Sequence, residues 1–321
     1  MTINKKNKIY VAGHNGMVGS SIVRMLKRKG FNYIITKTRK ELDLTNQQKV
    51  NFFFKKNKID FVFLCAAKVG GIYANDTYRA DFISENLMIQ TNIIDAAYKN
   101  GVKNLIFLGS SCVYPNKINR KISEKDLLSS YLEPTNEPYA IAKIAGIKMC
   151  ESYNEQYNVN YKNIMPTNLF GPGDNFHPQN SHVVPALIRK FIIAVKSKKK
   201  QVIIWGTGTP RREFLYVDDL AEAIYLIAKL TKKKYRQITN NKSYLINVGY
   251  GKDYKISTLV KLISKALKFK GKIVYDETKK DGVKRKILNS QSIRSLGWKP
   301  KFNFEKKLPL FVKELYKKRS F

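Results

Sequence analysis

Short apolar runs alternate with longer amphipathic stretches through the first half of the chain. The runs are rich in β-branched and aromatic residues, which favours strands, and the first three are almost wholly apolar, as is typical of strands covered on both faces. The predicted strands are 8–13, 33–37, 61–66, 104–110 and 161–165, and the predicted helices between them are 17–29, 47–56, 82–100 and 139–157. This alternation predicts an α/β fold with a doubly wound parallel sheet, a Rossmann fold.

The pattern changes at Pro166, where a loop rich in proline, glycine and asparagine is followed by elements without a second β-α-β series. Helices are predicted at 184–195, 218–230 and 258–267, and short strands at 202–204, 245–248 and 272–275. No low-complexity linker separates the two halves. We therefore predict a Rossmann domain at 1–165 with a returning segment near 215–250, and a smaller, interleaved α/β C-terminal domain at 166–321 that binds substrate.

Composition changes this picture only through charge. Of 321 residues, 43% are hydrophobic and 26% charged, which is ordinary for a globular protein, but 60 Lys and Arg against 24 Asp and Glu give a net charge of +36. Such an excess is one sign of polyanion binding. The lysines are spread along the whole length, and runs such as Lys198 to Lys200 lack interleaved aromatic residues, which favours a solvated surface over a nucleic-acid interface.

Three scattered cysteines, Cys65, Cys112 and Cys150, form no CxxC pair and indicate neither a disulfide framework nor a metal site. No apolar run approaches the roughly 20 residues that span a bilayer. The basic start leads into a predicted strand instead of a signal-peptide core. We expect a protein of the reducing cytoplasm with no membrane partner.

Gly13, Gly16 and Gly19 lie where the first predicted strand turns into the first predicted helix. Glycines there permit a tight turn and let a pyrophosphate approach the backbone, while the helix N-terminus offers free N–H groups. The position of the motif between a strand and a helix therefore predicts a dinucleotide site.

The end of the second predicted strand indicates which dinucleotide is bound. An acidic residue there favours NAD, whereas basic residues accommodate the 2′-phosphate of NADP. Lys37 and Arg39 predict NADP(H), with Arg39 suited to a bidentate phosphate contact. Glu41 is the competing candidate, either as a ligand of the ribose hydroxyl or as the start of a turn.

Candidate catalytic residues follow the fourth predicted strand. Ser110 ends that strand, and Tyr139 and Lys143 lie four residues apart, so they share one face of the next predicted helix. Lys143 is expected to lower the pKa of the Tyr139 hydroxyl, and Ser110 to bind the substrate oxygen, which gives a proton relay beside a hydride donor. Cys112 lies two residues beyond Ser110 and shares its face if the strand continues.

These motifs resemble the extended short-chain dehydrogenase/reductase family: the glycines from Gly13 to Gly19, the serine-rich strand end, and YxxxK from Tyr139 to Lys143. Within that family, the chain resembles the GDP-L-fucose synthases. The resemblance lies in longer stretches that begin at Gly109, Leu132, Met165, Asp174, Asn180 and Trp205. The similarity covers nearly the whole chain.

The resemblance implies a homodimeric, NADPH-dependent enzyme that epimerises GDP-4-keto-6-deoxy-mannose at C3 and C5 and reduces C4. It implies reductase roles for Ser110, Tyr139 and Lys143, and base and acid roles in epimerisation for Cys112 and His182. The implied cofactor contacts are Gly13, Asn15, Gly16, Met17, Val18, Gly19, Lys37, Arg39, Asp43, Leu44, Leu108, Ser110, Lys143, Pro166, Asn168, Leu169 and His182. The implied GDP-sugar contacts are Ser110, Ser111, Cys112, Tyr139, Asn168, His182, Lys190, Trp205, Arg212 and Asp281. No metal and no nucleic-acid partner is implied.

One position departs from the family pattern. The first turn of the family often reads Gly-His-Arg-Gly, whereas this chain has Asn15 at the third position. An Arg contact to the 2′-phosphate is therefore lost, so Lys37 and Arg39 must supply it, and we expect a softer preference for NADPH.

Two other functions remain open. The first is a C4 reductase without epimerase activity that acts on another GDP-4-keto sugar, such as a heptose; a one-carbon difference is worth only about 1–3 kcal/mol in a pocket. Retention of Cys112 and His182 favours the bifunctional enzyme. The second is a non-catalytic nucleotide- or nucleic-acid-binding Rossmann protein, which has no need of Ser110, Tyr139 and Lys143 together.

Adjacent Arg211 and Arg212 should point to opposite sides of an extended segment, so only one is expected to reach the pyrophosphate.

Overall fold

The computed structural model of the chain describes residues 2–239, 244–279 and 281–318. In the first half, strands and helices alternate at nearly the predicted positions. The strands are β1 (Ile9–Ala12), β2 (Ile34–Ile35), β3 (Phe61–Leu64), β4 (Asn104–Leu108) and β5 (Asn160–Pro166). The helices are α1 (Met17–Arg28), α2 (Gln47–Asn57), α3 (Ile72–Thr77), α4 (Arg79–Lys99) and α5 (Glu137–Tyr157).

The second half begins with short strands and then mixes both types of element. Its strands are β6 (Asn168–Phe170), β7 (Gln201–Trp205), β8 (Arg211–Tyr216), β9 (Leu245–Val248), β10 (Asp253–Lys255), β11 (Lys272–Asp276) and β12 (Arg285–Lys286). Its helices are α6 (Val183–Lys196), α7 (Val217–Ala228), α8 (Lys232–Ile238), α9 (Ile256–Ala266), α10 (Gln291–Arg294) and α11 (Phe304–Lys317). Residues 240–243 of the predicted returning segment and residues 280 and 319–321 of the predicted second domain lie outside the described residues.

A parallel sheet of six strands forms the centre of the molecule, in the order β2-β1-β3-β4-β5-β9. The predicted doubly wound α/β fold is thereby confirmed. Chain order reverses at β1, which lies between β2 and β3, and ligands of such sheets bind in the crevice beyond the carboxyl ends of the strands at this point. Strand β9 joins the sheet beside β5, although it comes from the second half of the chain.

Helices cover both faces of this sheet, which explains why its strands are almost wholly apolar. Tyr10 and Ala12 of β1 pack with residues of α2, α4 and α5 on one face. Ile9 and Val11 pack with residues of α1 and α7 on the other. A third apolar cluster, built from α6, α9 and α11, forms the core of the second half.

A buried lysine fastens α7 to the sheet. Lys162 of β5 is only 1% exposed, and its ammonium group donates hydrogen bonds to the carbonyl oxygens of Ile227 and Leu230, 3.0 and 2.7 Å away. These carbonyls lie at and just after the C-terminal end of α7, where carbonyl oxygens lack the usual helical partners, although that of Ile227 also accepts the Leu230 N–H at 3.1 Å. Burial lowers the pKa of Lys162 to about 7.

The second half contains two small sheets that the sequence predicted only in part. Strand β8 pairs antiparallel with β10 and parallel with β6 and β12, and β7 pairs with β11 in a parallel ribbon. Glu213 of β8 is fully buried, and its carboxylate accepts hydrogen bonds from the backbone N–H groups of Gly251 and Leu288. Burial raises its pKa.

The helix predicted to begin at Phe82 begins earlier, at Arg79, and the separate helix α3 precedes it. Tyr78, with φ −106° and ψ 44°, separates the two because its backbone is not helical. Within the described ranges, no helix is both long enough and apolar enough to cross a membrane.

Candidate functional site

The glycine turn between β1 and α1 is shaped for a close approach of backbone. Gly13 has a φ of +84°, and a Cβ at Gly19 would overlap the Gly13 carbonyl oxygen. Gly16 caps α1 without a side-chain hydrogen bond, while the neighbouring Asn15 is exposed. The N–H groups of the first helical turn, which includes Met17 and Val18, are therefore available to an anion.

The end of β2 carries the two basic candidates for cofactor selection. The Lys37 ammonium lies 3.1 Å from the Glu41 carboxylate, and the Arg39 guanidinium lies 3.4 Å from Glu85. Arg39 remains 75% exposed along its side chain, so an incoming phosphate can reach it. The Glu41 carboxylate accepts hydrogen bonds from the backbone and hydroxyl of Thr38, which lower its pKa to about 2. Glu41 therefore closes a turn, which is one of the two possibilities that the sequence left open.

Asp43 and Leu44 form the turn that leads into α2. The Asp43 carboxylate accepts hydrogen bonds from the backbone and hydroxyl of Thr45, and these bonds lower its pKa. The Leu44 carbonyl accepts one from the Asn92 amide at 2.9 Å. Both residues are half-buried.

The segment after β4 differs from the prediction. The strand ends at Leu108, not at Ser110, and Ser111–Val113 form a short 3-10 turn capped by Ser110. The Ser110 hydroxyl oxygen accepts a hydrogen bond from the backbone N–H of Cys112 at 3.3 Å. The expectation that Cys112 shares a strand face with Ser110 is therefore wrong, because the helical turn, not the pleat, sets its direction.

Tyr139 and Lys143 lie one turn apart near the start of α5. Burial raises the pKa of the Tyr139 hydroxyl, as does the charge of an ionised Cys112, and hydrogen bonding with the Ser110 side chain opposes both. The Lys143 ammonium is 5.9 Å from the centre of the Tyr139 ring and donates instead to the Leu108 carbonyl oxygen at 3.0 Å. The expected lowering of the tyrosine pKa by Lys143 is therefore wrong for this structure. Burial lowers the pKa of Lys143 itself to about 8.

Cys112 is half-buried, and it lies near both Tyr139 and the half-buried Arg212. Burial lowers the pKa of Arg212, and the charges of Cys112, Asp281 and Glu133 oppose that change, which indicates that all three lie near the guanidinium. Arg212 donates a hydrogen bond to the Val283 carbonyl oxygen.

The two adjacent arginines of β8 point apart, as their places on an extended segment predict. Arg211 pairs with the Asp253 carboxylate at 2.9 Å, away from the partners of Arg212. Only Arg212 therefore faces the candidate site.

His182 caps the N-terminus of α6 through its backbone and is exposed. Desolvation of the imidazole by the surrounding protein nevertheless lowers the pKa of His182. The loop before it rests on Gly71, whose N–H donates to the Asn180 carbonyl oxygen at 3.0 Å and where a Cβ would overlap the Ser181 carbonyl oxygen. Across the parts of the chain that the structure describes, no hydrogen bond joins the imidazole to Cys112 or Tyr139.

Three further cofactor candidates lie where β5 leads into β6. Pro166 is the last residue of β5 and pairs with Val248. Asn168 and Leu169 begin β6 and are half-buried, and the Asn168 amide donates to the Glu213 carbonyl oxygen at 3.1 Å. They lie at the carboxyl end of the central sheet, the same end as the glycine turn and Ser110.

Lys190 and Trp205 form a pair in the second half. The Lys190 ammonium is 5.5 Å from the centre of the Trp205 ring and donates to the Ile203 carbonyl oxygen at 2.7 Å. Burial lowers the pKa of Lys190. Trp205 ends β7 and is 65% exposed, so its ring faces open space.

Asp281 is exposed and holds the turn that follows Trp205. Both of its carboxylate oxygens accept hydrogen bonds from Thr207, a residue that the sequence prediction missed. The turn Gly206-Thr207-Gly208-Thr209 that follows Trp205 was the available signal. A cavity of about 490 Å³ opens beside Asp281 and Glu133.

The structure thus brings Ser110, Cys112, Tyr139 and Lys143 together, with Arg212 nearby, at the carboxyl end of β4. It places Lys190, Trp205 and Asp281 on the second half of the chain. Within residues 2–239, 244–279 and 281–318, no group of three or more His, Cys, Asp or Glu side chains is arranged to hold a metal ion.

Comparison with known proteins adds independent information. The sequence matches the NAD dependent epimerase/dehydratase family over residues 9–246. It is 50% identical over 300 residues to GDP-L-fucose synthase of Escherichia coli (strain K12), with 94% of each chain aligned. It is 51% identical over 299 residues to GDP-L-fucose synthase 1 of Arabidopsis thaliana, with 93% of this chain and 90% of that one aligned.

A solved structure of a GDP-mannoheptose C4 reductase from Campylobacter jejuni, with NADP bound, superimposes with a TM-score of 0.87. The two sequences are 39% identical, and the superposition covers 98% of this chain and 99% of the other. Similarity therefore extends to proteins named for both of the GDP-sugar activities that the sequence left open.

Proposed function

This chain belongs to the NAD dependent epimerase/dehydratase family, and from that membership we propose that it is an NADPH-dependent GDP-sugar epimerase-reductase of the GDP-L-fucose synthase type. Its substrate is then GDP-4-keto-6-deoxy-mannose or a close analogue. The observation that carries the proposal is the meeting of Ser110, Cys112, Tyr139 and Lys143 at one end of β4. The identity to two GDP-L-fucose synthases over almost the whole chain supports it.

The residues around the glycine turn fit a dinucleotide. A side chain at Gly13 or Gly19 would collide with backbone, the first turn of α1 has no side-chain cap, and Nδ1 of His14 is buried without a partner. Such a cradle suits a pyrophosphate, and Lys37 and Arg39 would hold the 2′-phosphate that distinguishes NADP. When bound, NADPH supplies the hydride for reduction at C4.

In the reduction, Tyr139 would donate a proton to the C4 oxygen of the sugar. The raised pKa of its hydroxyl keeps it protonated at neutral pH, as a general acid must be. Ser110 would donate a hydrogen bond to the same oxygen, while its own oxygen is occupied by the Cys112 N–H. Lys143 would hold α5 against β4 and supply positive charge beneath the relay.

In the epimerisation, Cys112 would remove the acidic protons at C3 and C5, next to the 4-keto group. Cys112 is the candidate base because it lies beside Ser110 and Tyr139, where the sugar would bind, and a thiolate can accept a proton. The lowered pKa of His182 makes its protonated imidazole a stronger acid, which suits the return of a proton to the opposite face. Tyr139 and Ser110 would stabilise the enolate oxygen through hydrogen bonds.

The second candidate function is C4 reduction alone, on a longer GDP-4-keto sugar. The similarity to the heptose C4 reductase and the polar cavity beside Asp281 favour it. Incubation with NADPH and GDP-4-keto sugars of six and seven carbons, followed by product analysis by NMR, distinguishes the two. An inverted, reduced six-carbon product supports the first proposal, and reduction without inversion supports the second.

We also propose a division of labour between the parts of the chain. Residues 1–165, with the returning segment near 215–250, would bind the cofactor, and residues 166–321 would bind the GDP-sugar. The cytoplasm is the proposed location, because Cys65, Cys112 and Cys150 are free thiols.

A homodimer is the proposed assembly. The packed helices α4 and α5 expose Met88 and Ile141 to solvent, and an apolar face of this kind suits a partner copy. Sedimentation of the parental protein, compared with an Ile141→Lys variant, tests it. A dimer that the substitution splits supports the proposal, and a parental monomer contradicts it.

A further inference from the structure

The turn formed by residues 206–209 follows Trp205 directly and is held by an acidic residue from a distant segment. The Thr207 backbone N–H donates to Oδ1 of Asp281 at 3.0 Å, and the Thr207 hydroxyl donates to Oδ2 at 2.5 Å. One threonine thereby donates to both carboxylate oxygens, and its hydroxyl also lies 2.7 Å from the Thr209 hydroxyl.

The backbone of this turn is shaped for the carboxylate. Gly206 and Gly208 have φ values of +77° and +74°, which favour glycine, and a Cβ at Gly206 would overlap Oδ1 of Asp281. The Gly208 carbonyl oxygen accepts a hydrogen bond from the Ser257 N–H at 2.9 Å, at the start of α9. The turn is thus anchored on both sides.

The segment that begins at Asp281 also reaches the other candidate substrate contact. The Val283 carbonyl oxygen accepts a hydrogen bond from the Arg212 guanidinium, and the Lys284 carbonyl oxygen accepts one from the Arg211 N–H at 2.9 Å. Residues 281–284 therefore link the turn after Trp205 to the strand that carries Arg212.

Trp205 needs such support because its ring is largely exposed. With 65% of the residue exposed, close packing does not fix the direction of the ring, and the Lys190 ammonium lies 5.5 Å from its centre. The backbone on either side of Trp205 must therefore set its direction. On the C-terminal side, that backbone is the turn held by Asp281.

We propose that Thr207 and Asp281 form a clasp that positions Trp205 against the GDP part of the substrate. In this assignment Asp281 acts on Trp205 through Thr207. Thr207 is a positioning residue. The inference rests on the proposed function, because it takes GDP as the group that Trp205 contacts.

The test is GDP affinity, measured by calorimetry on the parental protein and on Thr207→Val, Asp281→Asn and the combined variant. Thr207→Val removes the hydroxyl that donates to Oδ2, and Asp281→Asn replaces the charged acceptor by a neutral amide, so we expect each to weaken GDP binding about five- to tenfold. The combined variant should lose no more than either single one, because one contact is broken in all three. Thr207→Ser keeps the hydroxyl and should restore the affinity lost in Thr207→Val.

Two further measurements separate positioning from general damage. The KM for the GDP-sugar should rise in Thr207→Val while kcat and the affinity for NADPH stay at parental values. The near-ultraviolet circular dichroism of the ligand-free protein should change in Thr207→Val, and this change should vanish in a Trp205→Phe background.

The outcomes that overturn the inference are distinct from those that overturn the function. Weak GDP binding in Asp281→Asn with parental binding in Thr207→Val makes Asp281 a direct ligand and refutes the clasp. Additive losses in the combined variant refute it as well. Absence of GDP binding by the parental protein would overturn the proposed function and the inference with it.

Discussion

The ammonium group of Lys143 donates a hydrogen bond to the backbone carbonyl oxygen of Leu108, 3.0 Å away. This bond ties helix α5 to the last residue of strand β4. Tyr139 lies one turn before Lys143 on α5, and Ser110 lies two residues after Leu108. The contact therefore sets the distance between the two hydroxyl groups of the proposed proton relay.

Replacement of Tyr139 by Phe should remove the proton donor to the C4 oxygen and leave the ring packing in place. We expect the rate of reduction to fall on the order of 10²- to 10⁴-fold, with NADPH affinity unchanged. Single-turnover oxidation of NADPH measures it. Tyr153→Phe is a matched control: Tyr153 lies farther along α5, its hydroxyl bonds to Asp95 of α4, and the variant should keep the parental rate. Near-parental reduction by Tyr139→Phe would exclude the relay.

The exposed guanidinium of Arg39 predicts a preference for NADPH that one substitution weakens. Arg39→Ala should lower kcat/KM for NADPH on the order of 10- to 100-fold, because a hydrogen bond to a charged group contributes about 1.5–3 kcal/mol. The value for NADH, which lacks the 2′-phosphate, should not change. Lys40→Ala, an exposed cation next in the chain, is the control. Equal use of both cofactors by the parental protein would contradict the assignment.

Cys112 and His182 predict proton exchange that does not need the hydride. In D₂O, with oxidised cofactor, the parental protein should incorporate deuterium at C3 and C5 of the keto sugar, which mass spectrometry and NMR detect. Cys112→Ser should abolish this exchange and spare C4 reduction, because a serine hydroxyl is a far weaker acid than a thiol. Parental reduction without any exchange would identify a simple reductase.

Buried Lys162 predicts a pH dependence of stability. Its pKa is about 7 in the folded chain and about 10.4 in an unfolded one. At a pH between these two values, Lys162 is therefore protonated in the unfolded chain and mostly neutral in the folded one. The free energy of unfolding should therefore rise with pH through this group, by about 1.4 kcal/mol per pH unit. Urea unfolding at pH 7, 8 and 9 should show a shallower rise in Lys162→Met than in the parental protein. Exposed Lys233→Met should keep the parental slope; equal slopes in all three proteins would refute the prediction.

The central sheet could be predicted from the sequence because its strands are buried on both faces, which makes their sequences almost wholly apolar. Runs such as Phe61–Leu64 are apolar on both faces, and helices cover both faces of the sheet. The sequence also predicted that Ser110, Tyr139 and Lys143 would meet, since parallel strands end at one edge and residues four apart share a helix face.

The placement of Cys112 could not be predicted in the same way. The strand was expected to reach Ser110, but the Ser110 hydroxyl accepts the N–H of Cys112 and starts a 3-10 turn instead. A serine hydroxyl can hydrogen-bond to nearby backbone groups in place of strand pairing, and the hydrophobicity pattern of a sequence carries no information about such a bond.

Strand β8 was missed because its polar residues are satisfied by distant segments. The sequence indicated an extended segment at Arg211 and Arg212 but no strand, because these residues and Glu213 are polar; yet Glu213 is fully buried and bonded to Gly251 and Leu288. Only the fold brings those N–H groups to the carboxylate. The same reason hid Thr207, whose partner Asp281 lies in another segment of the chain.

Strand β9, which pairs Leu245 with Asn163 of β5, is the last of the six central strands to leave the ribosome. Until it has been synthesised, the nascent chain presents the unpaired N–H and C=O groups of β5, an edge that can recruit other nascent chains. Completion of the central sheet therefore has to wait for translation of residues up to Val248.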